Sequence, residues 1–151
     1  MILSNFNDFP RSGRIIGIDW GARRTGVAVS DNERQFVFTR PAIITPHGDK
    51  SVAKQIADLA RTENVVGIVI GLPKYMDGTS SETTDAVRRC AAELCIYTDL
   101  PIVFIDETLT SAAAQQDMGR VRISDIKRGL DSESARVILE NAIAVMARMH
   151  A

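Results

Sequence analysis

Hydrophobic and polar positions come in blocks along this chain, and the spacing inside each block predicts an element. Ile15-Ile16-Gly17-Ile18 is a short apolar run between Arg14 and Asp19, which suits a buried strand. Gly21 and Gly26 punctuate a tight turn, and Gly26–Ser30 reads as a second strand returning in a hairpin. Gln35–Thr45 is rich in Phe, Val and Ile but contains Pro41. Proline has no N–H to give to a ladder, so this third strand is expected at a sheet edge. Helical spacing then sets in, with Val52, Ile56 and Leu59 on one face of Ser51–Arg61. Val65–Ile70, ending at Gly71, and Pro101–Ile105 are further buried strands. Between them Thr79 and Glu82 form a T-x-x-E capping box ahead of Val87, Cys90, Ala91 and Leu94. Thr110 is placed to cap a helix that stops near Gly119. A last helix, from about Ser132, carries Ala135, Ile138, Leu139, Ala142 and Met146 on one stripe. Three strands followed by α-β-α-β-α imply a mixed sheet with helices on both faces.

Composition adds bounds to this picture. A chain of 151 residues, 45% hydrophobic and 25% charged, has the make-up of one globular domain. Residues 1–13 read as a flexible arm ahead of a single domain over 14–151. Cys90 and Cys95 are five positions apart in a helix, which fits neither a CxxC pair nor a zinc clamp, so they read as reduced core thiols. No apolar run approaches the roughly 20 residues needed to span a membrane. Met1–Pro10 lacks the basic and apolar regions of a signal peptide, so a cytoplasmic protein is expected. The net charge of −1 means that any surface for phosphates must be local. Basic residues do cluster at Arg23-Arg24, at Arg88-Arg89 and across Arg120, Arg122, Lys127 and Arg128, as solvated faces or as phosphate contacts.

The candidate chemistry lies in carboxylates at element ends. Asp19 follows the first strand, Asp106 and Glu107 follow the last strand, and Asp131 opens the C-terminal helix. Ligands of open α/β sheets usually bind beyond the carboxyl ends of the strands. Each acid also has a plain reading: Asp19 as a turn residue, Asp131 as an N-cap, Asp106 and Glu107 as strand ends facing water. Should they converge, several carboxylates together are costly without a cation or a shared proton. An all-oxygen cluster suits Mg²⁺ or Mn²⁺, which can assist phosphoryl displacement. Spacing alone does not establish the convergence.

Three ordered blocks then resemble a known family. They are Gly17-Ile18-Asp19-Trp20-Gly21 with Arg23-Arg24 and Gly26–Asp31, Val69–Pro73 with Met76-Asp77-Gly78, and Asp106–Ser111. Together with Asp131, Ala135 and Ile138-Leu139 they are similar to the YqgF/RuvX family, over residues 14–149. Its members are described as Holliday-junction resolvases and as nucleases that mature pre-16S ribosomal RNA. The resemblance implies a ribonuclease H-like fold: a five-stranded mixed sheet, order 3-2-1-4-5, flanked by helices on both faces. It implies a phosphodiester-cleaving hydrolase with Asp19, Glu107 and Asp131 as catalytic residues and ligands of Mg²⁺ or Mn²⁺. The implied partners are precursor ribosomal RNA, with ribosomal subunit precursors, or branched DNA, and the chain would act as a monomer or homodimer. A catalytically inactive nucleic-acid-binding module is the alternative of another class. Arg23, Arg24, Lys74, Thr108, Lys127 and Arg128 are the expected nucleic-acid contacts, and Trp20 is expected to pack rather than to stack on a base. With that strand order Glu107 starts two strand spacings from Asp19, roughly 10 Å, and must lean across Gly71. The segment from Gly119 to Asp131 is shorter than is usual in the family, which leaves Asp131 the least secure of the three acids.

Overall fold

The computed structural model describes residues 1–45, 52–73, 82–106 and 123–149, with the side chains of 82–83 and 123–131 left aside. The elements run β1 (Ile2–Leu3), β2 (Ile15–Asp19), β3 (Arg24–Ser30), β4 (Val37–Ile44), α1 (Val52–Thr62), β5 (Gly67–Leu72), α2 (Glu82–Tyr97), β6 (Ile102–Asp106) and α3 (Ile123–Met149). They build a mixed sheet of order β1-β6-β5-β2-β3-β4. Five of its strands reproduce the expected 3-2-1-4-5 order, and one strand is added. The added strand is β1, whose Ile2 and Leu3 pair in parallel with Ile102 and Val103. Residues 1–13, expected as a flexible arm, are therefore held along much of their length. Phe6 and Phe9 are buried and meet edge to face at 5.5 Å. Phe9 lies on Gly67, where a Cβ would come within 2.4 Å of the ring. The expected capping residue Thr79 and the expected helix from Thr110 to Gly119 lie outside the described residues.

Alternation along each strand divides the core in two. Ile16, Ile18, Val27, Val29, Ile68, Ile70 and Ile102 face α1 and α2, where they meet Ile56, Ala60, Val87 and Leu94. Ile15, Ala28, Val69 and Val103 face α3, where they meet Ala135, Ile138, Leu139, Ala142 and Met146 with Phe6 and Phe9. Each fully buried Ile or Leu contributes about 1.5–3 kcal/mol. β4 is an edge strand, and Pro41 sits where the β3–β4 register slips between Thr25–Ile43 and Val27–Arg40. Two residues there, Pro41 and Ala42, oppose Gly26 alone, which is a β-bulge on the strand that can spare a ladder N–H.

Local signals end the elements. Asn64 takes a left-handed conformation (φ 57°) after α1, and Val65 N–H reaches back to the Ala60 carbonyl. The cap takes Val65, Val66 N–H donates to the Arg14 carbonyl at 2.7 Å, and β5 runs from Gly67, two residues later than the β-branched run suggests. In the β3–β4 turn Asp31 Oδ1 accepts from the N–H groups of Gln35 and Phe36, both at 2.8 Å. The Thr84 hydroxyl donates to the Pro73 carbonyl at 3.0 Å and ties α2 to the end of β5. Cys90 and Cys95 are free, and burial pushes the Cys90 thiol up to about 11, as inert core thiols require.

Glu63, past α1, accepts from Arg40 Nε at 2.7 Å and from Arg14 Nη1 at 2.9 Å, and so joins β4 to the approach of β2. The Arg40 hydrogen bond, with Arg14 behind it, holds the Glu63 carboxyl below its ordinary value of 4.5. The backbone N–H of Phe36 and its neighbours hold Asp31 below 3.8 in the same way. A carboxyl lowered in the folded state stabilises the fold above its unfolded value, and that stability is lost as pH falls through the folded value. Chemical denaturation at pH 6 and pH 3 should therefore show a smaller acid loss in Glu63→Gln than in the native chain. Equal losses would remove Glu63 from the acid response.

Candidate functional site

The carboxyl ends of β2, β5 and β6 form one rim. Asp19 is the last residue of β2 and is half-buried. In the ladder with β3 it stands opposite Gly26. On its other side Ile18 pairs with Ile70, which makes Asp19 level with Gly71. Ile15 and Gly17 face α3, and the two-residue period puts Asp19 on that face as well. Gly26 and Gly71 share the face, so neither adjacent strand carries a side chain beside Asp19.

The turn after Asp19 is closed by its own backbone. A Cβ on Gly21 would lie 2.2 Å from the Arg24 carbonyl oxygen, so only glycine passes there. Thr45 N–H donates to the Arg23 carbonyl at 2.8 Å, which holds the turn to the end of β4. Arg23 and Arg24 are exposed at this turn. Trp20 packs against the α1/α2 cluster, in line with the packing role expected for it.

Asp106 is not brought to Asp19. Val103 and Ile105 belong to the α3 side, Ile102 and Phe104 to the α1/α2 side. Asp106 therefore ends β6 exposed and on the opposite face of the sheet. The guanidinium of Arg88 covers Phe104 on that opposite face, 5.7 Å from the ring centre. Glu107, Thr108, Thr110, Ser111, Lys74, Asp77-Gly78, His47 and His150 lie outside the described residues.

Asp131 was expected to open the last helix. Instead α3 begins at Ile123, so Asp131 lies inside it and the N-cap reading falls. Gly129 and the Asp131-Ser132 pair imitate a helix start, but helical backbone runs through them. Lys127 and Arg128 precede Asp131 on the same helix.

Contacts at three levels show where α3 carries this segment. At the amino end of β2, Arg34 donates from Nε to the Gly13 carbonyl at 2.8 Å and from Nη1 to Met146 Sδ at 3.6 Å. Midway, a Cβ on Gly17 would meet Leu139 Cβ at 2.8 Å and the Ala135 carbonyl oxygen at 3.0 Å. Toward the carboxyl end, Ser132 Oγ accepts from Val27 N–H at 3.2 Å and donates to the Arg40 carbonyl at 2.5 Å. Val27 is the ladder partner of Ile18, the residue before Asp19. Hence α3 runs antiparallel to β2, and the backbone of Asp131 comes to the Asp19 end of the sheet, on the Asp19 face.

Ser132 is the residue that sequence reasoning missed. It precedes Ala135 and Leu139 by three and seven positions, on the apolar stripe, and it is 3% exposed. A hydroxyl at a core-facing position was the available signal.

Among the described residues no three His, Cys, Asp or Glu side chains stand together as a metal-holding group. The donors at issue are carboxylate oxygens, the set that hard divalent cations take. A half-buried Asp19, level with a glycine on each neighbouring strand, carries donors of this kind.

Comparison with known proteins gives the family and the fold. A family model described as "RuvX: Holliday junction resolvase" matches residues 13–144. A protein of Maridesulfovibrio salexigens named "Putative pre-16S rRNA nuclease" is 37% identical over 87% of this chain and 98% of its own length. One of the same name from Acidiphilium cryptum is 32% identical over 97% and 96%. Among solved structures, Thermus thermophilus RuvC in complex with a Holliday junction substrate superposes with a TM-score of 0.63 at 13% identity, covering 91% of this chain and 96% of that one. That likeness is one of fold, and it establishes the ribonuclease H-like architecture expected from the sequence.

The close approach at Gly17 is testable. Gly17→Ala should lower stability by about 1–3 kcal/mol in urea unfolding, because the new methyl meets a backbone carbonyl and the root of Leu139. A variant as stable as the native chain would show that α3 can ride higher on the sheet.

Proposed function

Since the chain belongs to the RuvX family of Holliday junction resolvases, we propose that it is a metal-dependent endonuclease that processes the 5′ end of precursor 16S ribosomal RNA. The observation that carries this reading is the convergence of Asp19 and the Asp131 segment at one end and on one face of the sheet. The relatives named as pre-16S rRNA nucleases favour the RNA substrate over branched DNA.

Asp19, Glu107 and Asp131 are the proposed catalytic set. Asp106 ends β6 on the face away from Asp19, so Glu107 is the acid of that pair assigned to the site. These three carboxylates would hold Mg²⁺ or Mn²⁺, consistent with the divalent-ion chemistry of nucleases of this kind. When bound, such an ion neutralises clustered carboxylates, makes a water more acidic and offsets charge on the scissile phosphate. The remaining work falls to the chain. Asp19 stays fixed because Gly21 lets the turn close directly behind it. Arg23 and Arg24 leave that turn exposed and would bind flanking phosphates, which position a substrate without reading its sequence. Lys74, Thr108, Lys127 and Arg128 are assigned to the same backbone contacts. An overall charge of −1 makes such local contacts necessary.

A single cut in RNA needs only one site and so no dimer, whereas symmetric resolution of a junction would require a homodimer. No helix among the described residues is long and apolar enough to cross a membrane, and a ribosomal precursor as substrate would place the protein in the cytoplasm.

Cleavage of labelled precursor RNA and of a four-way DNA junction, with and without Mg²⁺ or Mn²⁺, tests the proposal. The native chain should cut the RNA only with metal. Asp19→Asn and Glu107→Gln should each lower the rate by at least about 100-fold. Cutting confined to the junction would reverse the substrate assignment. Variants as active as the native chain would remove the carboxylates from catalysis, and no cutting of either substrate would favour a binding module.

A further inference from the structure

The α3 face of β3 and β4 contains a local device that the functional reading does not use. Across the β-bulge Val27 and Arg40 are ladder partners. Between the N–H of one and the carbonyl of the other stands Ser132 Oγ, which accepts from Val27 at 3.2 Å and donates to Arg40 at 2.5 Å. A helix hydroxyl thus takes the place of a ladder hydrogen bond at the irregular point of the sheet. This happens one residue after Asp131 and beside the partner of Ile18, which precedes Asp19.

We infer that Ser132 is the positioning residue of the acidic site: it fixes the height and rotation of α3 where the helix carries Asp131 to the Asp19 end of the sheet. The inference rests on the functional reading above, because it presumes that Asp131 acts together with Asp19. The physical argument is one of degrees of freedom. Gly17 and the apolar stripe hold α3 close to the sheet, but apolar contacts tolerate small slides along the helix axis. Two hydrogen bonds from one buried oxygen, to backbone groups on two different strands, do not. Sliding α3 would leave both Val27 N–H and the Arg40 carbonyl buried without a partner, at a cost that apolar packing does not recover. The same anchor makes the bulge part of the site. Pro41 and Ala42 open the ladder by one residue, and the gap so made receives the hydroxyl.

Arg40 also links the two faces of the sheet: its side chain donates to Glu63 while its carbonyl accepts from the Ser132 hydroxyl. The bridge acts on the site through the placement of Asp131.

A double-mutant cycle tests this. Ser132→Ala, Asp131→Asn and the double variant would be compared for metal-dependent cleavage and for Mn²⁺ binding by calorimetry. Ser132→Ala should lower kcat and Mn²⁺ affinity between about 10- and 100-fold, as loss of a supporting partner does, with KM for the nucleic acid unchanged. In the Asp131→Asn background the same substitution should change neither quantity further. Ser132→Cys, which fills the same space with a poor hydrogen-bond partner, should repeat the Ser132→Ala result and serves if Ser132→Ala does not fold. Equal losses in both backgrounds would show a general effect on the fold and overturn the inference. So would native kcat and Mn²⁺ affinity in Ser132→Ala while Asp131→Asn is impaired. Native behaviour of Asp131→Asn itself would instead defeat the functional reading of Asp131, and the inference with it.

Discussion

The absence of one carbon atom at Gly17 sets the geometry of this molecule. Because nothing projects from that point of β2, the backbone of α3 at Ala135 and the root of Leu139 come down onto the strand. At this point of the α3 side the chain gives up side-chain burial for close backbone contact, while Phe6, Phe9, Ile138, Leu139 and Met146 fill the rest of that side. A helix held so closely can deliver a side chain to a fixed place, which a helix floating on large side chains does less well.

The sheet's irregularities sit on the same side of the story. A bulge in β4 next to Gly26 would be a weakness in an isolated edge strand. Here it is adjacent to the end of β2, where Asp19 stands, and the helix plugs it. Likeness to RuvC at 13% identity shows that the scaffold is shared where few residues are, and a scaffold does not by itself decide a substrate. What the rim carries among the described residues is Asp19, with a glycine level with it on each neighbouring strand.

Much of this was legible in the sequence, for identifiable reasons. Ile15–Ile18 and Pro101–Ile105 announced buried strands through their apolar runs, and Pro41 announced an edge. The order of five strands followed from the family blocks. β1 was not legible because two residues carry no period, and its partners lie 99 and more positions away. The start of α3 misled because Gly129, Asp131 and Ser132 are the residue types that end and begin helices, yet packing on Gly17 and the tie to Val27 outweigh those local preferences. The place of Asp19 at the end of a strand and before Gly21 was legible from the apolar run ahead of it. That Asp106 faces away required the register of β6, which no composition or spacing contains.

The pairing of β1 with β6 also bears on how the chain reaches its fold. Met1 donates its ammonium to the Leu100 carbonyl, and its own carbonyl accepts from Ile102 N–H. During synthesis the leading segment emerges first, but its strand partner follows about a hundred residues later. Phe6 and Phe9 must stay uncovered until Gly67 and then α3 arrive to receive them. The hairpin of β2 and β3 closes a short loop through local contacts, whereas the pairing of β1 with β6 closes a loop of about a hundred residues, at a larger cost in chain entropy. The sheet thus joins its most local pairing, the hairpin that bears Asp19, to a long-range one at its far edge.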